Sequence, residues 1–127
     1  MTTLHIDEII ILVTEEIYRR DPYLMEKYGE RGKTKCTEDN HHHFKHLNTA
    51  FELKNSQIFI DYATWLNGIL QVHGMSSKHL IENFQIISDI LAVSGNGQDH
   101  RMNEYITYLH KANEALNQTR QCEQEET

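Results

Sequence analysis

Cys36, Asp39 and His43 fall at i, i+3 and i+7 in the stretch Arg31-Gly-Lys-Thr-Lys-Cys-Thr-Glu-Asp39-Asn-His-His-His-Phe44. On a helix that spacing lines up a thiol, a carboxylate and an imidazole along one face. The sulfur can bond a ring substituent of a ligand, and a carboxylate one turn on can accept hydrogen bonds from pyrrole N–H groups. The competing reading is structural: a buried small hydrophobe beside a solvated Asp, which the triplet standing alone would favour.

Nine histidines are many for 127 residues, and His41, His42, His43 and His46 crowd one helix. At most two of the four can share a face, so His41 and His42 read as solvated. His43, in register with Cys36 and Asp39, is the one expected in a pocket, stacking on or hydrogen-bonding a ligand. His42 and His46 have a metal-capable i, i+4 spacing, and His100/Glu104 and His110/Glu114 offer further pairs. Glu38-x-x-His41 is the single Glu-x-x-His motif, whereas a di-iron bundle needs two, so no metal is expected. Tyr62 and Trp65, beside Asp61, could flank a flat conjugated ligand as a pocket wall or simply be core. Nothing resembles a nucleophile elbow or a phosphate-binding Gly-rich loop, so enzyme activity is not expected.

The elements that must position these side chains are helical. Ile6, Ile9, Ile10, Val13 and Ile17 recur at helical spacing, with Thr3 as a candidate N-cap, predicting a helix over about 3–19. Asp21-Pro22 starts a short helix over about 22–28 closed by Gly29, and Glu30 to Lys33 reads as a turn. A long helix over about 34–54 carries the site, with Cys36, Asn40, His43, Leu47 and Ala50 on one face and Phe44 and Phe51 beside it. Asn55-Ser56 breaks it and caps a helix with the stripe Ile58, Phe59, Tyr62, Leu66, Ile69 and Leu70, ending at Gly74. Ser76 or Ser77 caps a fourth helix with Leu80, Phe84, Ile87 and Leu91 inward, stopped by Gly95-Asn-Gly97. Met102, Tyr105, Ile106, Leu109, Ala112 and Leu116 mark a fifth. No period-2 run competes, so the class is all-α: one domain over 1–120 with a frayed polar tail over 121–127.

Composition narrows the function classes. Twelve basic against nineteen acidic residues give a net charge of −7. The basic residues cluster only at Arg31 to Lys35, which argues against nucleic-acid binding. Cys36 and Cys122 make no disulfide framework, and no secretory pattern is seen, so a cytoplasmic protein is expected. Ile9 to Val13 is the longest apolar run and far too short for a membrane span.

The run from Asp21 to Leu91 resembles the central part of phycobiliproteins and the wider group of bilin-binding globins. The shared features are a Pro-Leu-type turn, a glycine loop, a basic residue shortly before Cys, Cys36-x-x-Asp39, the small polar break Asn55-Ser56 and the Gly74 turn. The match covers roughly seventy of the 127 positions, in order and approximate spacing. It implies a globin-like helical bundle holding an open-chain tetrapyrrole, with a bilin thioether at Cys36 and its pyrrole nitrogens on Asp39. Antenna proteins commonly place Arg between that Cys and Asp. Thr37-Glu38 stands here instead, which leaves Arg31, Lys33 and Lys35 as candidate propionate partners. With no room before Thr3 for a disc-assembly extension, a pigment carrier or sensor is expected rather than an antenna subunit.

The expected function is therefore bilin binding at Cys36, Asp39, His43, Arg31, Lys33, Lys35, Tyr62 and Trp65, covalent or not. Two alternatives remain: a ligand-free dimeric interaction or regulatory module, and a haem- or cobalamin-binding helical sensor. A homodimer is expected in any case, because Ile11 and Leu12 fall off the inward stripe of the first helix unless the 22–28 helix covers them.

Overall fold

A computed structural model describes residues 5–94 and 99–125 of the chain. Five helices form the bundle: α1 (Ile6–Arg20), α2 (Tyr23–Glu52), α3 (Ser56–Val72), α4 (Ser77–Ser94) and α5 (His100–Glu125). No strand occurs among the described residues. Thr3 and Gly95-Asn-Gly97 lie outside them. The architecture is an all-α bundle around one core, in which α1 packs on α2 and α4 while α5 packs on α2, α3 and α4.

The inward stripes largely follow the periodicity. Ile9, Ile10 and Val13 from α1, Phe44, Leu47 and Ala50 from α2, and Phe59, Tyr62 and Ala63 from α3 are buried. Leu80, Phe84, Ile87 and Leu91 from α4 meet Tyr105, Leu109, Ala112 and Leu116 from α5 in the same cluster. One expectation in these stripes fails: Ile69 lies outside the core, with Asn67 buried instead. Ile11 and Leu12 fall off the inward stripe of α1 as expected, and the segment after Pro22 leaves them exposed.

Gly29 explains the main difference in element bounds. Its φ of 65° and ψ of −160° are non-helical and close the run from Tyr23 where the glycine was expected to, so that α2 is two helices joined across a kink, in a conformation that lacks a Cβ penalty only in glycine. The chain re-enters helix at once, so Glu30 to Lys33 are helical rather than a turn. Gly32, one turn after Tyr28, is needed for space, since a Cβ there would collide with the Tyr28 Cβ. At the other end, α5 is helical to Glu125, where a frayed tail was expected. Gln and Glu extend a helix by intrinsic propensity even without an apolar stripe.

α2 and α3 close by the same motif. Gly74, at φ 79°, follows α3, with Met75 N–H donating to Leu70 O at 2.9 Å and Gly74 N–H to Gln71 O at 3.0 Å. After α2, Asn55 N–H donates to Ala50 O at 2.9 Å and Lys54 N–H to Phe51 O at 3.1 Å. This is the Schellman pattern, and its left-handed residue is normally glycine. Here it is Lys54, at φ 53°. Asn55 then caps α3 by accepting from Gln57 N–H, and Ser76 caps α4 through Lys78 N–H.

Polar ties cross the core at chosen points. Asn40 and Asn83 exchange two hydrogen bonds, at 2.8 and 3.3 Å, between α2 and α4. Arg101 and the Tyr105 hydroxyl both donate to Asn48 Oδ1, joining α5 to α2. His43 shares a 2.7 Å hydrogen bond with the Tyr62 hydroxyl and meets the Phe84 ring edge-on at 5.1 Å.

Two stability predictions arise here. Lys54→Gly should raise stability by about 0.5–1 kcal/mol by removing the left-handed cost of a side chain, read as a higher urea midpoint at unchanged slope. Burial, then the nearby His42 and His46, pushes the His43 imidazole down to about 3. The unfolded chain takes up that proton near pH 6.5 while the folded chain refuses it until about pH 3. His43 therefore stabilises fully above pH 6.5, and its contribution falls by up to about 1.4 kcal/mol per pH unit below that. Replacing both partners, as His43→Phe with Tyr62→Phe, should flatten the loss of stability between pH 6.5 and 4.5 relative to wild type. Equal slopes would refute the account.

Candidate functional site

Once α2 resumes after Gly29, its register divides the expected site residues into three sets. Rotation of about 100° per residue places Arg31, Lys35, Asp39, His42 and His46 along one flank. Cys36 and His43 turn toward the core, and Lys33 lies on the far flank.

The inward set is structural. His43 is fully buried, held by Tyr62 and Phe84, so it is a core residue and not a pocket wall. Cys36 is half-buried, with Asn40 Nδ2 3.7 Å from its Sγ. Burial, reinforced by the Asp39 charge, pushes its thiol up to about 11, although hydrogen bonds with Thr14 and Asn40 pull the other way. At pH 7 Cys36 is therefore held as the thiol and not as the thiolate, the form that attacks carbon. Lys33 stands about 200° round the helix from Arg31, on the side where Thr37 donates to its carbonyl and approaches Thr14 at 3.4 Å, so it does not share the flank of Arg31 and Lys35.

The outer flank, by contrast, assembles with α3. Asp39 is about half-exposed, its side chain at 45%, and pairs with Lys35 at 3.1 Å. Its charge also acts on Tyr62, whose phenol is raised first by burial and then by that carboxylate. The Tyr62 ring stacks on His46 at 3.8 Å and 11°, and Trp65 follows at 6.4 Å. Trp65 itself is 62% exposed. Arg31, one turn before Lys35, is exposed as well. The result is a surface shelf: the exposed Trp65 and the half-buried His46 give aromatic area backed by the buried Tyr62 ring, and Asp39, Lys35 and Arg31 supply charge at one end.

His46 is the residue that sequence reasoning missed for this role. Its Nδ1 lies 2.8 Å from His42 O. A carbonyl can only accept, so Nδ1 carries the proton. No described residue bonds Nε2. The signal was available, since His46 stands at i+7 from Asp39, but His43 occupied the same argument from Cys36. Among the described residues no three of His, Cys, Asp and Glu converge as metal ligands. Likewise, no described helix is long and apolar enough to cross a membrane.

The thiol assignment is directly measurable. In a Cys122→Ser background, Cys36 should react with a disulfide reagent at pH 7 at least tenfold more slowly in the folded chain than in urea, and accelerate up to pH 10. Equal rates folded and unfolded would show an accessible thiolate. No protein-family model matches the chain, and neither curated proteins nor solved structures give a match.

Proposed function

We propose that the protein is a non-enzymatic helical module that holds a linear tetrapyrrole non-covalently on the α2–α3 shelf. One observation carries this reading: Trp65 stands largely in water beside the stacked His46–Tyr62 pair. An exposed indole adjoining a pre-stacked aromatic pair is a surface prepared for a flat conjugated partner. Asp39, whose charge already acts on Tyr62, would accept from the pyrrole N–H groups, and its charge favours a protonated chromophore. Lys35 and Arg31 would meet the propionates. The high thiol pKa of Cys36 favours a ligand held without a thioether. A globin-like bundle remains the expectation from the Cys36-x-x-Asp39 resemblance. We further read the protein as a cytoplasmic homodimer, each copy with its own shelf.

A second reading draws on the same helix. Ile69 and the 83% exposed Val72 continue the line of Trp65 at i+4 and i+7, the spacing by which a partner helix is gripped. It predicts no pigment.

Trp65 is the single tryptophan, so its emission reports the shelf alone. Biliverdin should quench it saturably and acquire visible circular dichroism, which Trp65→Ala and His46→Ala each weaken at least fivefold in affinity. Asp39→Asn should shift the main visible band, whereas Cys36→Ala should leave binding unchanged. Colour that survives acid and urea would overturn the non-covalent assignment. A Soret band with haemin but no biliverdin binding would favour a metal-centred ring with His46 Nε2 as ligand. Absence of both defeats the tetrapyrrole reading and leaves the helix-docking face.

A further inference from the structure

The outer face of α1 sets Ile11 and Leu12 among charged side chains, acidic in the first turn and basic in the last with Glu15 between, and no other described element packs against it. Ile11 is 54% and Leu12 39% exposed, while the helix contacts only α2 and α4. Glu8, Ile11, Leu12, Glu15 and Arg19 share this face at i, i+3, i+4, i+7 and i+11, and Glu8, Glu15 and Arg19 are all exposed. The ends differ in sign. Asp7 and Glu8 stand in the first turn, Arg19 and Arg20 in the last.

We infer that α1 is the homodimer interface and that the two copies pair antiparallel. A twofold axis beside the middle of α1 sets Glu8 opposite the partner's Arg19, a pairing that occurs twice, while Asp7 lies to one side toward His41 of α2 and Arg20 to the other toward Asp89 of α4. Ile11 and Leu12 of both copies then meet in the middle of the seam, with the methylene stem of Glu15 over the partner's Leu12. The opposed helix dipoles add to the same preference. A parallel pair would bring Glu8 onto the partner's Glu8 and Arg19 onto the partner's Arg19, with charge repulsion at both ends. Arg19 already bonds Glu16 in its own chain, so the guanidinium is held on the helix surface before the partner arrives. The same symmetry explains why the face carries only two large apolar residues: each is used twice.

This pairing involves no ligand and no residue of the α2–α3 shelf. It is tested by sedimentation equilibrium of the full chain without pigment, over about 5–200 μM, the range of a modest two-helix contact. The wild-type chain should sediment as a dimer, and Ile11→Glu should raise the dissociation constant at least tenfold. Glu8→Arg alone and Arg19→Glu alone should each be monomeric, because like charges now face each other across the seam. Mixed one to one, the two variants should form a heterodimer. One end of the seam then carries the Glu8→Arg and Arg19→Glu substitutions opposite each other, a charge pair of reversed sign, and the other end keeps the native pair. Helical circular dichroism and urea midpoints should hold for all variants, as the substituted side chains are exposed. A monomeric wild type at 200 μM overturns the interface. A mixture that stays monomeric, or single variants that stay dimeric, overturns the antiparallel register.

Discussion

The hydrogen bond between His43 and Tyr62 is the constraint from which the candidate site inherits its geometry. It lies where α2, α3 and α4 meet, with Phe84 closing the third side. A neutral imidazole there fills core volume and satisfies a buried phenol that would otherwise cost about 1–3 kcal/mol unpaired. Tyr62 belongs to both regions. Its hydroxyl is anchored inside by His43, while its ring supports His46 and adjoins Trp65. The position of the surface shelf is thus fixed by a bond in the core. Such support from behind is what makes a site rigid.

The same register decides what Cys36 can do. Facing the α1–α4 seam, it adjoins Asn40, whose amide is committed to the Cys36 carbonyl and to Asn83. Burial and a neighbouring carboxylate both oppose the thiolate. Among the described residues no cation reaches the sulfur to reverse this, since Lys35 spends its charge on Asp39. A Cys and an Asp at i, i+3 can therefore belong to different environments, one inside the bundle and one on its rim, although they sit one turn apart.

Much of the bundle was legible because buried apolar residues recur at helical spacing, and the faces of α2, α4 and α5 follow that pattern. Helix ends were legible where a residue has a specific job, as at Gly29, Asn55, Gly74 and Ser76. Two kinds of information were not. The chain through Glu30 to Lys33 contains a glycine and no apolar stripe, so its continuation as helix depends on one dihedral at Gly29. The division of the site residues between inside and outside was not legible for a related reason. Spacing alone tells which side chains share a face, but whether that face looks inward or outward depends on the neighbours. Cys36 and His43 look inward, whereas Asp39 turns just far enough to meet Tyr62 and the open flank. Ile69 fails in the opposite sense. It fits the stripe of α3 but lies toward solvent, where Asn67 takes its place in the core.

The position of α1 relates the two exposed surfaces. It bridges α2 and α4 and touches neither α3 nor α5, so a copy seated on its outer face leaves Trp65 uncovered. Each surface is also chemically matched to a different kind of occupant. The α1 face is narrow, aliphatic and charged with opposite sign at its two ends, which suits a helix like itself. The α2–α3 shelf is aromatic, asymmetric and charged at one end only, which suits a flat ligand with acidic arms. The shelf hangs on the His43–Tyr62 bond, and α1 is tied to the opposite flank of α2 through Thr14 and Thr37. A change in α1 packing would reach the shelf through α2 directly and through α4, whose Phe84 packs against His43, and the paired Asn40 and Asn83 side chains oppose that movement by locking α2 to α4.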